Sequence, residues 1–309
     1  MIYTVTLNPA LDKTVTIPDF TLDTVNRIAT IRKDPGGKGI NVSKVIDKLG
    51  GSSKAFGILG GACGKEIASM LEGEGFTCDF TFVEGETRTN LKVIDPVKNE
   101  NTDINEPGVV VNDEIINDMT KKLCDVIVPG DIVVLAGSIP KGAPKDTYKE
   151  MVKACREAGA KVFLDAAGDL LASGIEGGPY LIKPNNDELS RMVGKTLSTN
   201  EELVEAAQVL RAKGVEKVVV SLGGKGALYI TADKVIYAEG LKVKVGSTVG
   251  AGDSVVAALA YAENEGMTLE EAVKLSTATG AANVMQSGTQ AAEKELVDSL
   301  IGNVVYHVL

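Results

Sequence analysis

Apolar and polar positions repeat with two different periods along this chain, and the switches between them set out its elements. Ile2-Tyr3-Thr4-Val5-Thr6-Leu7 reads as a strand that stops at Asn8-Pro9, and Thr14–Ile17 alternates as a half-buried strand does. After the Gly-rich stretch Asp34–Gly39 the spacing predicts a helix over Asn41–Leu49, ended by Gly50-Gly51. A strand at Lys54–Leu59 and a helix at Lys65–Glu74 follow. Three short alternating segments, Thr77–Val83, Thr87–Ile94 and Asn101–Ile104, are separated by turn residues and read as antiparallel strands.

From Asn112 onward the two periods take turns. Strands are predicted at Ile132–Leu135, Lys161–Leu164, Leu181–Lys183 and Lys217–Leu222, with helices such as Asp146–Ala158 and Glu201–Lys213 between them. Gly226–Ile230 and Lys234–Ala238 read as a hairpin. Val255–Asn264, Leu269–Met285 and Glu293–Leu300 read as helices, with Thr268 and Glu271 forming a capping box before the second. Strands alternating with helices predict an α/β fold with a doubly wound, mostly parallel sheet. The antiparallel material has no place in such a sheet. It predicts a small β lid of residues 11–35 and 87–107 on a main domain of residues 1–10, 36–86 and 108–309.

Composition narrows the picture mainly by exclusion. A chain of 309 residues, 44% hydrophobic and 24% charged, has ordinary globular make-up and length enough for a substantial core. A net charge of -10 supplies no basic stripe, so neither nucleic acid nor an anionic membrane is an expected partner. No apolar run reaches membrane-spanning length, and Cys63, Cys78, Cys124 and Cys155 lack metal-binding spacing. Reduced thiols in a cytoplasmic protein are the expectation. The single histidine, His307, nearly excludes His-dependent triads and multi-His metal sites. A general base must then be a carboxylate, Lys, Tyr or Cys.

The strongest chemical signal is Ser247-Thr248-Val249-Gly250-Ala251-Gly252-Asp253-Ser254, which leads into an apolar, Ala-rich helix. Gly250 and Gly252 are poor helix formers, but they suit a helix start where backbone N–H groups must approach an anion. Asp253 places one carboxylate beside those donors, an arrangement suited to phosphoryl transfer. The plainer alternative is a Gly-rich turn with an acid favoured by the helix dipole.

Gly36-Gly37-Lys38-Gly39-Ile40-Asn41 opens another helix and reads as an anion or sugar-phosphate cradle, or as a tight turn with a solvated lysine. Neither this loop nor Ser221-Leu222-Gly223-Gly224-Lys225-Gly226 is a Walker A motif, because no Ser or Thr follows the lysine. Gly250-x-Gly252 with Val255 meets the dinucleotide fingerprint poorly, which leaves a nicotinamide dehydrogenase as a weak alternative. Lys183-Pro184-Asn185-Asn186-Asp187-Glu188 follows a strand, and from the residues alone Asn185 and Glu188 read first as a capping box. Arg88 and Arg27 fall in the lid, where each is a phosphate partner or a solvated strand residue; Asp12 is a ligand or a turn-stabilising acid.

Taken in order, these stretches resemble the ribokinase-like carbohydrate kinases, often called the PfkB family, over essentially the whole chain. Gly36–Asn41 is similar to the first family signature, and Val249–Ser254 to the second and more specific one. Asn185-x-x-Glu188 is similar to the magnesium-associated motif, and Ser221–Gly226 to the nucleotide loop. Thr6–Asp12, Ala136-Gly137-Ser138-Ile139-Pro140 and Thr87–Lys92 resemble the phosphosugar branch, whose members act on fructose 1-phosphate, tagatose 6-phosphate or fructose 6-phosphate.

The resemblance implies ATP and Mg²⁺ as cofactors, a ketohexose phosphate as acceptor (fructose 1-phosphate first) and a homodimer formed through the lid. It implies Asp253 as base, with Gly250, Ala251 and Gly252 as the anion hole. Sugar contacts would come from Asp12, Gly37, Lys38, Gly39, Asn41, Ser138, Arg88 and Arg27. Nucleotide contacts would come from Lys183, Asn185, Ser221, Gly223, Gly224, Gly226, Gly250 and Gly252, with Asn185 and Glu188 holding the metal through water. Thr248 stands where relatives acting on free sugars often carry an acid linked to monovalent-cation binding, so potassium dependence is left open. A sugar-phosphate sensor without turnover is the alternative from another class.

Overall fold

A computed structural model describes residues 1–286 and 288–309. The chain begins with β1 (Ile2–Thr6), β2 (Ala10–Thr16), β3 (Thr30–Gly36), α1 (Lys38–Lys48), β4 (Ser53–Gly60), α2 (Gly61–Gly73) and β5 (Thr77–Val83). It continues through β6 (Arg88–Asp95), β7 (Glu100–Asn105), α3 (Asp113–Cys124), β8 (Ile132–Ala136), α4 (Thr147–Glu157), β9 (Lys161–Asp165), α5 (Gly168–Ile175) and β10 (Leu181–Ile182). The remaining elements are α6 (Asn186–Val193), α7 (Asn200–Ala212), β11 (Lys217–Ser221), β12 (Gly226–Ile230), β13 (Val235–Glu239), α8 (Ala251–Asn264), α9 (Leu269–Val284), α10 (Lys294–Ile301) and β14 (Tyr306–Val308).

Ten strands form one sheet in the order β14-β13-β12-β11-β10-β9-β8-β1-β4-β5. From β11 across to β5 every pairing is parallel, and β12, β13 and β14 extend the far edge in antiparallel fashion. The inner strands are largely buried and apolar because both faces are covered, and β8 is apolar at every position. In β8, Val133 and Leu135 enter the core under α3, α4 and α7, while Ile132, Val134 and Ala136 enter the core under α1, α8 and α9. No described helix is long and apolar enough to cross a membrane.

β5 differs from the sequence expectation. It pairs in parallel with β4 at the edge of the large sheet, because α2 carries the chain back along one face before it enters. Alternation reports which residues face inward but says nothing of strand direction. The helix in the first Gly-rich motif also starts earlier than its apolar period, at Lys38, where the Thr6 hydroxyl accepts a hydrogen bond from the Ile40 amide.

The second sheet has the order β3-β2-β6-β7. Its outer pairings are antiparallel, whereas β2 and β6 lie parallel, since they belong to two separate excursions of the chain. Only Gly37 separates β3 from α1, and Lys44 on α1 donates to the Pro35 carbonyl at 2.6 Å. The small sheet is thus tied directly to that helix.

At the opposite end of the large sheet, the last turns of α8 carry Glu263. It accepts from Lys161, from Lys217 at 2.8 Å and from the Tyr180 hydroxyl at 2.8 Å. Burial pushes the Glu263 carboxyl up, but these donors outweigh it and hold the group down at about 2. A carboxyl depressed in the folded chain adds stability that is present above its ordinary value and is lost as pH falls through the folded one. Glu263→Gln is therefore expected to melt below wild type at neutral pH, with the gap closing between about pH 4.5 and 2. Thermal scans across that range check this, and a gap that does not change with pH would count against it.

Candidate active site

The winding of the large sheet reverses beside β1. The chain passes from β1 to β4 and β5 on one side, then fills the other side from β8 to β11. The crevice beyond the carboxyl ends of the strands at such a reversal is where this architecture binds ligands. A cavity of about 780 Å³ opens there, bounded by the start of α8 and by the small sheet. Gly37, Lys38, Asn41, Ser138, Gly250, Gly252 and Asp253 line it, as do Asp12 and Arg88 from the small sheet.

The local sequence explains the bare start of α8. Gly250 takes a left-handed conformation (φ 82°) at the N-cap, and no side chain caps the helix. The Ala251 N–H makes a long contact of 3.4 Å to the Thr248 carbonyl, and the next N–H groups of α8, with the positive end of its dipole, are left for an anion. A Cβ at Gly252 would lie 3.1 Å from the Lys183 ammonium, so glycine there lets that cation rest against the helix start.

Four charged groups meet at this point. Lys38 Nζ donates to Asp165 Oδ2 at 3.0 Å, and Lys183 Nζ lies 3.5 Å from Asp165 Oδ1. The Asn41 amide donates to Asp253 Oδ2 at 2.8 Å. Burial pushes Asp253 up to about 6, with Asp165 adding to the rise and Lys38, Asn41 and Lys183 restraining it. Burial would also raise Asp165, but the ammonium groups of Lys183 and Lys38 outweigh it and hold that carboxyl low. Burial pulls Lys38 down, yet its net shift is upward because Asp165 and Asp253 favour the ammonium. Two acids of one type are driven apart, one kept ionised and one poised near neutrality as a proton acceptor.

Asp12, on β2, is raised chiefly by burial and receives the Asn90 amide at 2.9 Å. Arg88 donates to the carbonyls of Asn8 and Pro9, at 3.0 and 3.4 Å. Gly39 is pressed against β1, where a Cβ would meet the Val5 carbonyl oxygen at 2.6 Å, and Ala251 opens α8. Asn185 and Glu188 make the capping box of α6 in full, each side chain accepting from the other's backbone N–H. The charge of Glu188 is nonetheless felt by Lys38. Asn185 bridges to Ser221, which brings the turn at Gly223, Gly224 and Gly226 alongside. Tyr237 holds that turn by donating to the Lys225 carbonyl at 2.8 Å.

Gly39, Lys183 and the residues of the capping box and the Ser221–Gly226 turn lie outside the cavity lining, and so does Arg27 of the lid. Arg27 is exposed on the connection before β3 and does not line the cavity; Arg32, inside β3, does. The sequence reading also passed over Asp165 and Asn90. Asp165 follows a predicted strand directly, and the rule that ligands sit beyond strand ends was the signal that would have found it.

Because the folded chain holds its proton at Asp253 more tightly than the ordinary value of 3.8, that stabilisation is present below 3.8 and lost as pH rises through about 6. Asp253→Asn keeps an acceptor for Asn41 and removes the cost of burying a charge. It is expected to melt a few degrees above wild type near pH 7.5 and to lose that advantage near pH 4. Equal melting temperatures near pH 7.5 would contradict a desolvated carboxylate at this position.

Comparison with known proteins gives the family. Residues 5–296 match the model of the pfkB family carbohydrate kinases. The 1-phosphofructokinase of Bacillus subtilis is 40% identical, with 98% of each chain covered. That of Rhodobacter capsulatus is 38% identical over 90% of this chain and 88% of its own. Phosphofructokinase-2 from Escherichia coli, solved in complex with potassium, superposes with a TM-score of 0.93 at 32% identity over 98% of both chains. The same enzyme has also been solved with fructose-6-phosphate. With the motifs in order and the match running nearly end to end, this chain belongs to the pfkB family of carbohydrate kinases.

Proposed function

We propose that this chain is an ATP-dependent kinase that phosphorylates fructose 1-phosphate to fructose 1,6-bisphosphate. The observation that carries the reading is a desolvated carboxylate, Asp253, in the first turn of an uncapped helix that lines a polar cavity. The 1-phosphofructokinases among its relatives support the choice of acceptor.

Asp253 takes the proton of the attacking hydroxyl while Asn41 and Asp12 orient the sugar. The N–H groups at Gly250, Ala251 and Gly252, together with Lys183, stabilise charge on the transferring phosphoryl group. The Lys38 ammonium is turned toward Asp165 and Asp253, so this reading moves it from the acceptor's existing phosphate to the transferred one. Arg88 adds positive charge to the wall that the existing phosphate meets. The turn from Ser221 to Gly226 takes the nucleotide.

No cluster of three or more His, Cys, Asp or Glu fit to hold a metal occurs among the described residues. Asn185 and Glu188, whose oxygens cap α6, would hold Mg²⁺ carried in on ATP through water, where it would neutralise phosphate charge. The small sheet acts as a lid that keeps water from competing as acceptor. Its outer face exposes Ile31 and Ile104, with Leu22 and Val25 nearby, which supports a homodimer formed there in the cytoplasm. A 6-phosphate acceptor, fructose 6-phosphate or tagatose 6-phosphate, is the second reading; the fructose-6-phosphate complex of the Escherichia coli relative favours it.

ADP release with Mg²⁺-ATP against the three sugar phosphates tests the assignment. Preference for fructose 1-phosphate in kcat/KM by about 100-fold requires only about 2.7 kcal/mol of differential transition-state binding. A leading 6-phosphate would overturn the choice of acceptor. Asp253→Asn is expected to lower kcat by about a thousandfold or more, with KM for ATP within about threefold of wild type. In wild type the rate should rise with pH through about 6 as Asp253 ionises, then level off.

A further inference from the structure

The cavity-facing side of the small sheet is laid out in rows fixed by strand register. One row runs Asp34, Asp12, Asn90, Asn105 across β3, β2, β6 and β7. The next row, two residues further along the strands, runs Arg32, Thr14, Lys92, Asp103. Both rows line the cavity. Two residues along a strand span about 7 Å, and Arg32 and Lys92, two strands apart, are separated by about 10 Å at Cα. Their long side chains can converge on one anion lying over the Thr14 hydroxyl.

Three observations, two on the second row and one on the first, say that this face is made for a ligand. Lys92 Nζ is 3.9 Å from Asp103 Oδ1, beyond hydrogen-bond length, and Asp103 is 57% exposed. Such a pair meets the charge of the ammonium but not its hydrogen-bonding capacity, and it is readily exchanged. Arg32 is held by Asp34 at 2.8 Å on its Nε and also reaches the turn at Gly288, where a Cβ would come within 2.5 Å of its Nη2. Its guanidinium therefore spans from the small sheet to the main body across the cavity. In the neighbouring row, Asn90 Oδ1 is buried with no hydrogen-bond partner although its amide nitrogen is engaged by Asp12. A sugar hydroxyl seated on the first row would satisfy that acceptor. Arg88, by contrast, already donates to two backbone carbonyls.

We propose that Lys92, with Thr14 and Arg32, is the seat for the phosphate already present on the acceptor sugar, and that this phosphate displaces Asp103 from Lys92 on binding. Lys92 is thereby a specificity-determining residue that separates phosphorylated from free ketoses. The inference rests on the phosphosugar acceptor proposed above.

The test is calorimetric titration of fructose 1-phosphate and fructose 6-phosphate into the whole protein without nucleotide, beside steady-state kinetics, for wild type, Lys92→Met and Lys92→Arg. Lys92→Met is expected to weaken sugar-phosphate binding and raise its KM by about tenfold or more, with kcat and the KM for ATP within about threefold. Lys92→Arg, which keeps the charge, is expected to recover binding to within about threefold of wild type. Unchanged affinity in Lys92→Met would overturn the seat. So would a loss that falls equally on kcat and on ATP and is not recovered by Lys92→Arg, because that pattern marks a merely structural role. The calorimetric arm needs no turnover. A protein that binds the sugar phosphate through Lys92 but releases no ADP upholds the seat and overturns the kinase, and one that binds neither sugar phosphate overturns both.

Discussion

Lys38, Lys183, Asp165 and Asp253 are drawn out of bulk water into one cluster, and the packing around them makes sense as the means of holding it. Taking such charges from water is unfavourable, and apolar residues of similar volume are often the more stable choice. Removing Asp165 would leave Lys38 and Lys183 without the carboxylate that holds both of them. Each of the four arrives on a different element. Asp165 ends β9, Lys183 follows β10, Lys38 opens α1 and Asp253 lies in the first turn of α8. The parallel order β8-β9-β10 sets the two strand ends side by side, and the two apolar cores beneath fix both helices against the sheet. Stability from those cores offsets a polar arrangement that packing alone does not require.

What could be read from the sequence follows from which signals are local. Gly250 and Gly252 stood out because glycine is costly within a helix, and Asp253 because it sits among unpaired N–H groups. The Asn185–Glu188 capping box needs only four consecutive residues, and it forms as the residues indicated. Asp165 carries no such mark. It is one acid after an apolar strand, and it acquires meaning only when the sheet order puts it between Lys38 and Lys183. The choice between Arg27 and Arg32 was hidden for a similar reason. It turns on where β3 begins and on its register with β2, facts that belong to a pairing rather than to a segment. The direction of β5 and the parallel contact of β2 with β6 were equally out of reach of periodicity, which reports faces and not neighbours.

The two sheets solve different problems with the same alternation. In the large sheet both sets of side chains are largely apolar, because helices cover both faces. In the small sheet one set is polar and lines the cavity, while the other includes Val15, Val93 and Leu91, packed with Ile17 and Phe20. A polar set facing inward contributes little to stability, so the small sheet leans on its attachment to the main body. That attachment leaves its inner face available for recognition rather than for core.

The join between β3 and α1 gives this division a mechanical sense. With Gly37 alone between them and Lys44 clamped on the Pro35 carbonyl, a swing of the small sheet pulls on the helix that carries Lys38 and Asn41. The small sheet and the amide that holds Asp253 are carried in this way on one lever. The same short tether that shapes the fold thus joins the wall over the cavity to the helix that steadies Asp253.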